Sequence, residues 1–470
     1  YIMISFCSAS RIAPLTGVLK RSFSVAALSR PNSLVTESSS HRYHGAQCSS
    51  TQQQQQQQQH QVRYQSNETT SPSSKLYMWG TDSSSQTSTN IIKSAHTQEQ
   101  KVFDVPLAVD PLPFSTSPIQ SVVCGANDTA FVLENGECWV CGENKNGQLG
   151  VGYKSPVSEP TLLELPGSDD DNVGIAQVSL GPQFAAVVDT NGDLYTAGYG
   201  GSAMRGMGWL GHGNDESHLE FQKVESLVED GCAVQQVEVS EWHMTVLTTE
   251  GEVLTTGMGS YGRLGNVQSI DRLYLDSVEV LTSRSQVTSI SGGKSFTLAL
   301  TKDGVLYSWG RNHKGQLGTG LGLSVDIYAM QDYPEPLEAD ELLGRRVVQM
   351  SAGHSHAACV TDSGELFHWG MSLHFDPVRV NELVHTKIVQ VQCGENYTLA
   401  MDDKGDMYSF GVATTGLAGG NSGVLGQGSK QSRLNQATLM EAFPASLKVQ
   451  QATAGWKHAA CLVEDTTGRA

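Results

Sequence analysis

Ile290-Ser-Gly-Gly-Lys-Ser-Phe-Thr-Leu-Ala-Leu-Thr-Lys-Asp-Gly-Val-Leu-Tyr-Ser-Trp-Gly-Arg-Asn-His-Lys-Gly-Gln-Leu317 is the stretch on which the chain turns. A short apolar strand ends at Gly293, and Phe296 to Leu300 reads as a second. Asp303-Gly304 predicts a two-residue hairpin turn, because such a pair accepts the positive φ that the turn needs. Val305 to Trp309 reads as a third strand, and Gly310 to Gly318 as a glycine-punctuated loop.

Working outward, the same sentence recurs. Its first slot is held by Gly125, Gly181, Ser240, Gly293, Gly353 and Gly394, with a turn glycine 11 residues later each time. Gly455 opens a seventh copy, with Gly468 as a displaced turn. Successive first slots lie 56, 59, 53, 60, 41 and 61 residues apart. One such unit of short strands cannot bury its apolar face alone. Stacked meanders of this size close into a propeller.

Gly142-Glu-Asn-Lys-Asn-Gly-Gln-Leu-Gly150 and Gly310-Arg-Asn-His-Lys-Gly-Gln-Leu-Gly318 resemble the Gly-x-Asn-x-x-Gly-Gln-Leu-Gly signature of the regulator of chromosome condensation family. The resemblance runs from about Lys75 to Gly468. It implies an all-β, seven-bladed β-propeller. Lys75-Leu-Tyr-Met-Trp-Gly80 matches Val305 to Gly310 but has no strand pair before it, whereas the last repeat has a pair and lacks a third strand. Leu76–Trp79 is therefore expected to pair with the last repeat and close the ring, leaving no open edge. Thr81 to Pro118 reads as a long polar insertion.

The sequence divides into three parts. Residues 1–30 carry Arg11, Lys20, Arg21 and Arg30 and no acid, the first being Glu37. An Arg- and Ser-rich, acid-free start with Arg21-Ser-Phe-Ser predicts a mitochondrial transit peptide, with chloroplast or nucleus as the alternatives. Residues 31–74, rich in Ser and Gln, predict a disordered linker. Residues 75–470 are the propeller.

With 30 Lys+Arg against 48 Asp+Glu and a net charge of −18, the chain is a poor footprint for nucleic acid, which needs a basic face. No run approaches the roughly 20 apolar residues of a membrane-spanning helix. Nine cysteines without a repeating pair do not form a disulfide framework. Cys138-Trp-Val-Cys141 has no second pair to complete a zinc site, and residues three apart on a strand face opposite ways. Gly257-Met-Gly-Ser-Tyr-Gly262 matches a dinucleotide motif but sits in the repeat's own loop rather than opening a helix. No cofactor is expected.

His243, His356 and His458 hold one slot of the repeat, which predicts a structural, loop-closing hydrogen bond. A catalytic histidine would be singular and partnered. The third-strand aromatics, Trp309 and Trp369 among them, read as packing between blades. Trp242 and Trp456 stand instead in loops, where aromatics can anchor a partner. They and their neighbours His243 and His458 are candidate partner contacts. So are Asp332 and Glu335 in the acidic tail Leu321 to Arg346, read as a loop. Plant ultraviolet-B receptors of the family repeat Gly-Trp-Arg-His-Thr in three consecutive blades. Gly455-Trp-Lys-His-Ala459 occurs here once, which tells against photoreception.

The sequence thus predicts a non-catalytic mitochondrial scaffold or regulator, serving organelle ribosome, transcript-processing or respiratory-complex assembly. Guanine-nucleotide exchange on a small GTPase, as the founding family member performs, is the first alternative. The acidic tail would be its wedge. Chromatin binding is the second.

Overall fold

The computed structural model describes residues 74–82, 102–109, 117–166, 173–282, 286–320, 327–415, 420–428, 430–444 and 446–466. The expected transit peptide, the linker through residue 73 and the turn at Gly468 lie outside them. The described residues form seven four-stranded antiparallel sheets and one two-stranded hairpin. Blade four sets the pattern: Val287–Gly292, Phe296–Thr301, Leu306–Arg311 and Met330–Pro336, paired in chain order.

The second strand is the reason the blades cannot stand alone. Phe296–Thr301 is buried at every position. Alternate side chains point to opposite sheet faces. Leu298 and Leu300 therefore join Met350, Cys359 and Trp369 of blade five, while Ala299 joins Leu247 and Val278 of blade three. Burying a Leu side chain contributes about 2 kcal/mol, and each blade can do so only with two neighbours.

The seventh blade draws on both ends of the propeller. Lys75–Thr81 pairs with His458–Asp465 in the order β-strand Val102–Ala108, Lys75–Thr81, His458–Asp465, Leu447–Ala454. Lys75 stands opposite Val463 and Trp79 opposite Ala459.

Three expectations need correcting. The turn at Asp303-Gly304 is not a two-residue loop: Gly304 N donates to Thr301 O (2.9 Å) and Thr301 N to Val305 O (3.0 Å). Gly304 has φ +83°, while Asp303 is absent from the positive-φ residues. This is the three-residue turn with a bulge, needing one left-handed residue rather than two. Second, the polar stretch Thr81 to Pro118 contains the fourth strand of blade seven. Third, the acidic tail of blade four contains its fourth strand, Met330–Pro336. Asp332 and Glu335 therefore lie on the outer edge of a sheet rather than in a loop.

Both ends of the ring are organised by the repeat. On one face the loop between strands one and two bonds the loop between strands three and four. Glu143 N donates to Asn127 O, Met258 N to Trp242 O, and Arg311 N to Ser295 O. On the other face the turn glycines accept from the next blade, as Gly136 O does from Ile175 N and Gly304 O from Val347 N. No described helix is long and apolar enough to cross a membrane.

Candidate partner-binding face

Most residues singled out by the repeat are used to build the ring. In the signature loop, Asn144 Oδ1 accepts from Leu149 N (3.0 Å) and Asn312 Oδ1 from Leu317 N (3.1 Å). Gln148 and Gln316 accept from Asn146 N and Lys314 N. The next blade then locks on: Trp309 Nε1 donates to Arg263 O (3.1 Å) and Trp369 Nε1 to Gln316 O (3.0 Å). Trp79 Nε1 makes the same bond to Val424 O (2.9 Å).

The recurring histidines join blades rather than close loops. Nε2 of His243, His356 and His458 lies 2.9, 3.2 and 2.8 Å from Oγ1 of Thr297, Thr398 and Thr129, each on the following blade. Burial holds all three neutral, with pKa values lowered to about 3, 4 and 3. His243 and His458 are 0% exposed, so in this fold they offer a partner nothing directly. Cys138 and Cys141 are buried in separate apolar clusters on opposite sheet faces. Among the described residues no cluster of His, Cys, Asp and Glu could hold a metal.

The first strands line an axial cavity of about 480 Å³. Their unpaired edges, which face the cavity, are sealed by side chains. Gln177 Oε1 accepts from Val237 N (3.0 Å) while its Nε2 donates to Val237 O (3.3 Å). Gln236, Gln349 and Gln390 clamp Ile290, Val391 and Ala452 in the same way. An amide side chain thus replaces the neighbour that an edge strand lacks. Glu238 lines this cavity, its carboxyl pushed up to about 7 by burial against the hydrogen bond from Gln236.

At one mouth of the cavity stand Glu241, Lys294, His354, Glu395 and Trp456. All occupy one position of the repeat, the residue after the first slot, and of the five the sequence singled out Trp456 alone as a candidate contact. Lys294 Nζ is 2.9 Å from Glu241 Oε2. His354 and Trp456 sit two blades apart, yet their rings meet edge-on at 5.4 Å. Their side chains reach across the mouth. Burial lowers the pKa of His354 to about 3, with Lys294 adding to it.

Trp242, by contrast, packs edge-on against Trp209 at 5.5 Å, which also meets Tyr199 and Phe184. Both loop tryptophans remain partly exposed. Asp332 O accepts from Val267 N (2.9 Å), and Glu335 accepts from Tyr333 Oη (2.7 Å), both on the outer edge. The six candidates therefore do not converge. They fall at blade three, blade seven and the rim of blade four.

The family model described as an RCC1-like domain matches residues 66–376. The ultraviolet-B receptor UVR8 of Arabidopsis thaliana is 32% identical over 252 residues, 54% of this chain and 53% of the receptor. The mitochondrial RCC1 domain-containing protein RUG3 of the same plant is 30% identical over 260 residues, covering 54% of each. The secretion-regulating guanine nucleotide exchange factor of Bos taurus is 34% identical over 239 residues, 50% of this chain and 48% of that protein. This chain thus spans about half the length of each. Among solved structures, Prp20p from Saccharomyces cerevisiae superposes with a TM-score of 0.71 at 19% identity, covering 85% of this chain and 93% of that one. With the signature loops, the seven sheets and a family match over more than half of its length, the chain belongs to the RCC1-like domain family.

Proposed function

We propose that this protein is a non-catalytic binding module that works in mitochondria, holding a protein partner on the face that carries its signature loops. One observation carries the reading. The polar residues that recur blade after blade bond other parts of the ring, whereas the loops of one face differ from blade to blade. A rigid scaffold with variable loops is a common way to build a binding surface. The acid-free basic start and the similarity to a mitochondrial RCC1 protein support the compartment. Organelle ribosome, transcript-processing and respiratory-complex assemblies are the partners sought first. The test is to tag the C-terminus, locate the protein in cells and identify co-purifying proteins. A mitochondrial signal with ribosomal or assembly factors supports the proposal. A nuclear signal with histones overturns it.

Exchange on a small GTPase is the second reading, favoured by the similarity to the secretion-regulating exchange factor. An exchange factor works by differential binding to the nucleotide-free GTPase. With Asp332 and Glu335 on an outer strand, its wedge would have to come from another loop. A stoichiometric GTPase released from the protein by added GTP would put this reading first.

A further inference from the structure

Blade three departs from the repeat at its signature loop. Gly259 stands where blades one and four have Asn144 and Asn312, and Arg263 where they have Gln148 and Gln316. The glutamines close their loops by accepting backbone N–H groups. A guanidinium has no acceptor and cannot. The loop is also strained, for Val267 stands where blades one and four have the left-handed Gly152 and Gly320. Tyr261, Val267 and Ser269 hold φ values of +64°, +66° and +50°, and for the β-branched Val267 this is a clear outlier. Both polar side-chain atoms of Asn266 are buried without a partner.

Arg263 is 2% exposed, yet its Nε and Nη1 make no hydrogen bond. Among the described residues neither it nor Arg311 is in an ion pair. The carboxylates in electrostatic reach of Arg263 are committed elsewhere. Asp271 accepts from Gly259 N (2.9 Å) and Met207 N (3.1 Å), and Glu241 pairs with Lys294. What Arg263 has instead is a ring. The Tyr261 ring packs against both guanidinium groups, its centroid 5.7 Å from Arg263 Cζ and 4.3 Å from Arg311 Cζ. The negative face of an aromatic ring is a weak substitute for an anion. A buried charge without a counter-ion is a costly arrangement, which an oxyanion would relieve.

We propose that Arg263 and Arg311 form an oxyanion site for an acidic side chain of the protein partner, covered in this structure by Tyr261. Val267 and Ile270, 58% and 49% exposed beside it, would take an apolar neighbour of that acid. The source of the anion rests on the protein-binding reading above; the site itself does not. On binding, Tyr261 leaves its left-handed conformation and the carboxylate takes its place.

The test uses the purified full chain, with melting and calorimetric titration at constant ionic strength. The probes are inorganic phosphate and an acidic pentapeptide of four glutamates around one leucine. The peptide should bind saturably and raise the melting temperature, and Arg311→Gln should weaken it by about tenfold or more. Arg205→Gln, on an exposed neighbouring loop, should bind as the parent does. Arg263→Met should melt higher without peptide and lose the response, since an apolar side chain needs no counter-ion. Tyr261→Gly, which suits the left-handed backbone and removes the cover, should bind more tightly. No saturable binding, or undiminished binding by Arg311→Gln, overturns the site. Phosphate binding without peptide binding overturns the acidic side chain as its source. Either result leaves the co-purification test of partner binding untouched. Conversely, peptide binding that depends on Arg311 in a protein that captures no partner would sink the functional reading and keep the site.

Discussion

Blades three and four meet through His243 and Thr297, whereas blades four and five meet at the same position through Phe296 and Ala357. The slot is identical, and its occupant and mate change together. The three histidines face threonines. Phe184 follows the pattern of Phe296, with Met244 opposite in the same apolar cluster, whereas Tyr397 faces Ala459 in its cluster and also donates its hydroxyl to Gly455 O and His458 O (3.0 Å each). A histidine here is half of a joint whose other half lies on the next blade, 54 residues away for His243. The polar joint is worth a hydrogen bond only while both halves are present, and the apolar joint is worth its buried area.

The largest expected difference between the two joints is their response to acid. Burial lowers the three imidazoles from 6.5 to between about 3 and 4. Below pH 6.5 the unfolded chain therefore takes up protons that the folded one refuses. Their contribution to stability is intact above the unfolded value and is lost as pH falls toward the folded one. Each site contributes about 1.4 kcal/mol per pH unit, so the three together give roughly 4 kcal/mol per unit. Melting from pH 7 to pH 5 should show this steep loss. The double variant His243→Phe/Thr297→Ala, which copies the apolar joint, should reduce the slope by one histidine's share, about 1.4 kcal/mol per pH unit. A melting temperature that is flat over this range would break the distinction.

Crossing the chemistry of one joint comes next. Phe296→His places an imidazole opposite Ala357, where no hydroxyl meets it. The lost ring area and the unpaired polar atom should together cost about 3 kcal/mol in denaturant unfolding. Adding Ala357→Thr should recover part of that loss. Equal stabilities with and without the threonine would mean that mates need not match.

The joints also show what could be read in the chain and what could not. Strands one to three and the blade count were legible because apolar alternation and a turn glycine recur together. The fourth strands were not. They lie at the rim, follow loops of unequal length, and tolerate Pro106, Pro160, Pro334 and Pro377, since an edge strand can spare a donor. That is why Thr81 to Pro118 and the tail of blade four read as loops. The histidine slot was legible as structural, but its threonine was not, because the pairing crosses blades. Nothing in the sequence singled out Arg263. Only its burial without a carboxylate sets it apart.

A smaller effect is expected where the slot residue meets the glycine before it. A Cβ on Gly293 would lie 2.0 Å from Cε1 of Phe296, although the backbone there is not left-handed. Gly293→Ala must push the ring, at a cost of about 2 kcal/mol. The melting temperature should fall, and Phe296→Leu in the same chain should restore part of it. Independent losses would show that ring and glycine are not in contact.

Ser240 is the exception in that position, and it sharpens the comparison most finely. Its Oγ is buried with no hydrogen-bond partner, and it fills the space beside Gly292 of the next blade, where a Cβ would approach it to 2.6 Å. Ser240→Gly removes an unsatisfied hydroxyl but opens a gap and loosens the unfolded chain. Terms of about 1 kcal/mol oppose each other, so the net change should stay within about 1 kcal/mol. Gly292→Ala should destabilise the parent and be nearly harmless beside Gly at position 240. A coupling energy measured by the double-mutant cycle would make Ser240 and Gly292 a second matched pair at the blade three–four joint. Strict additivity would confine the rule of paired positions to the histidine slot.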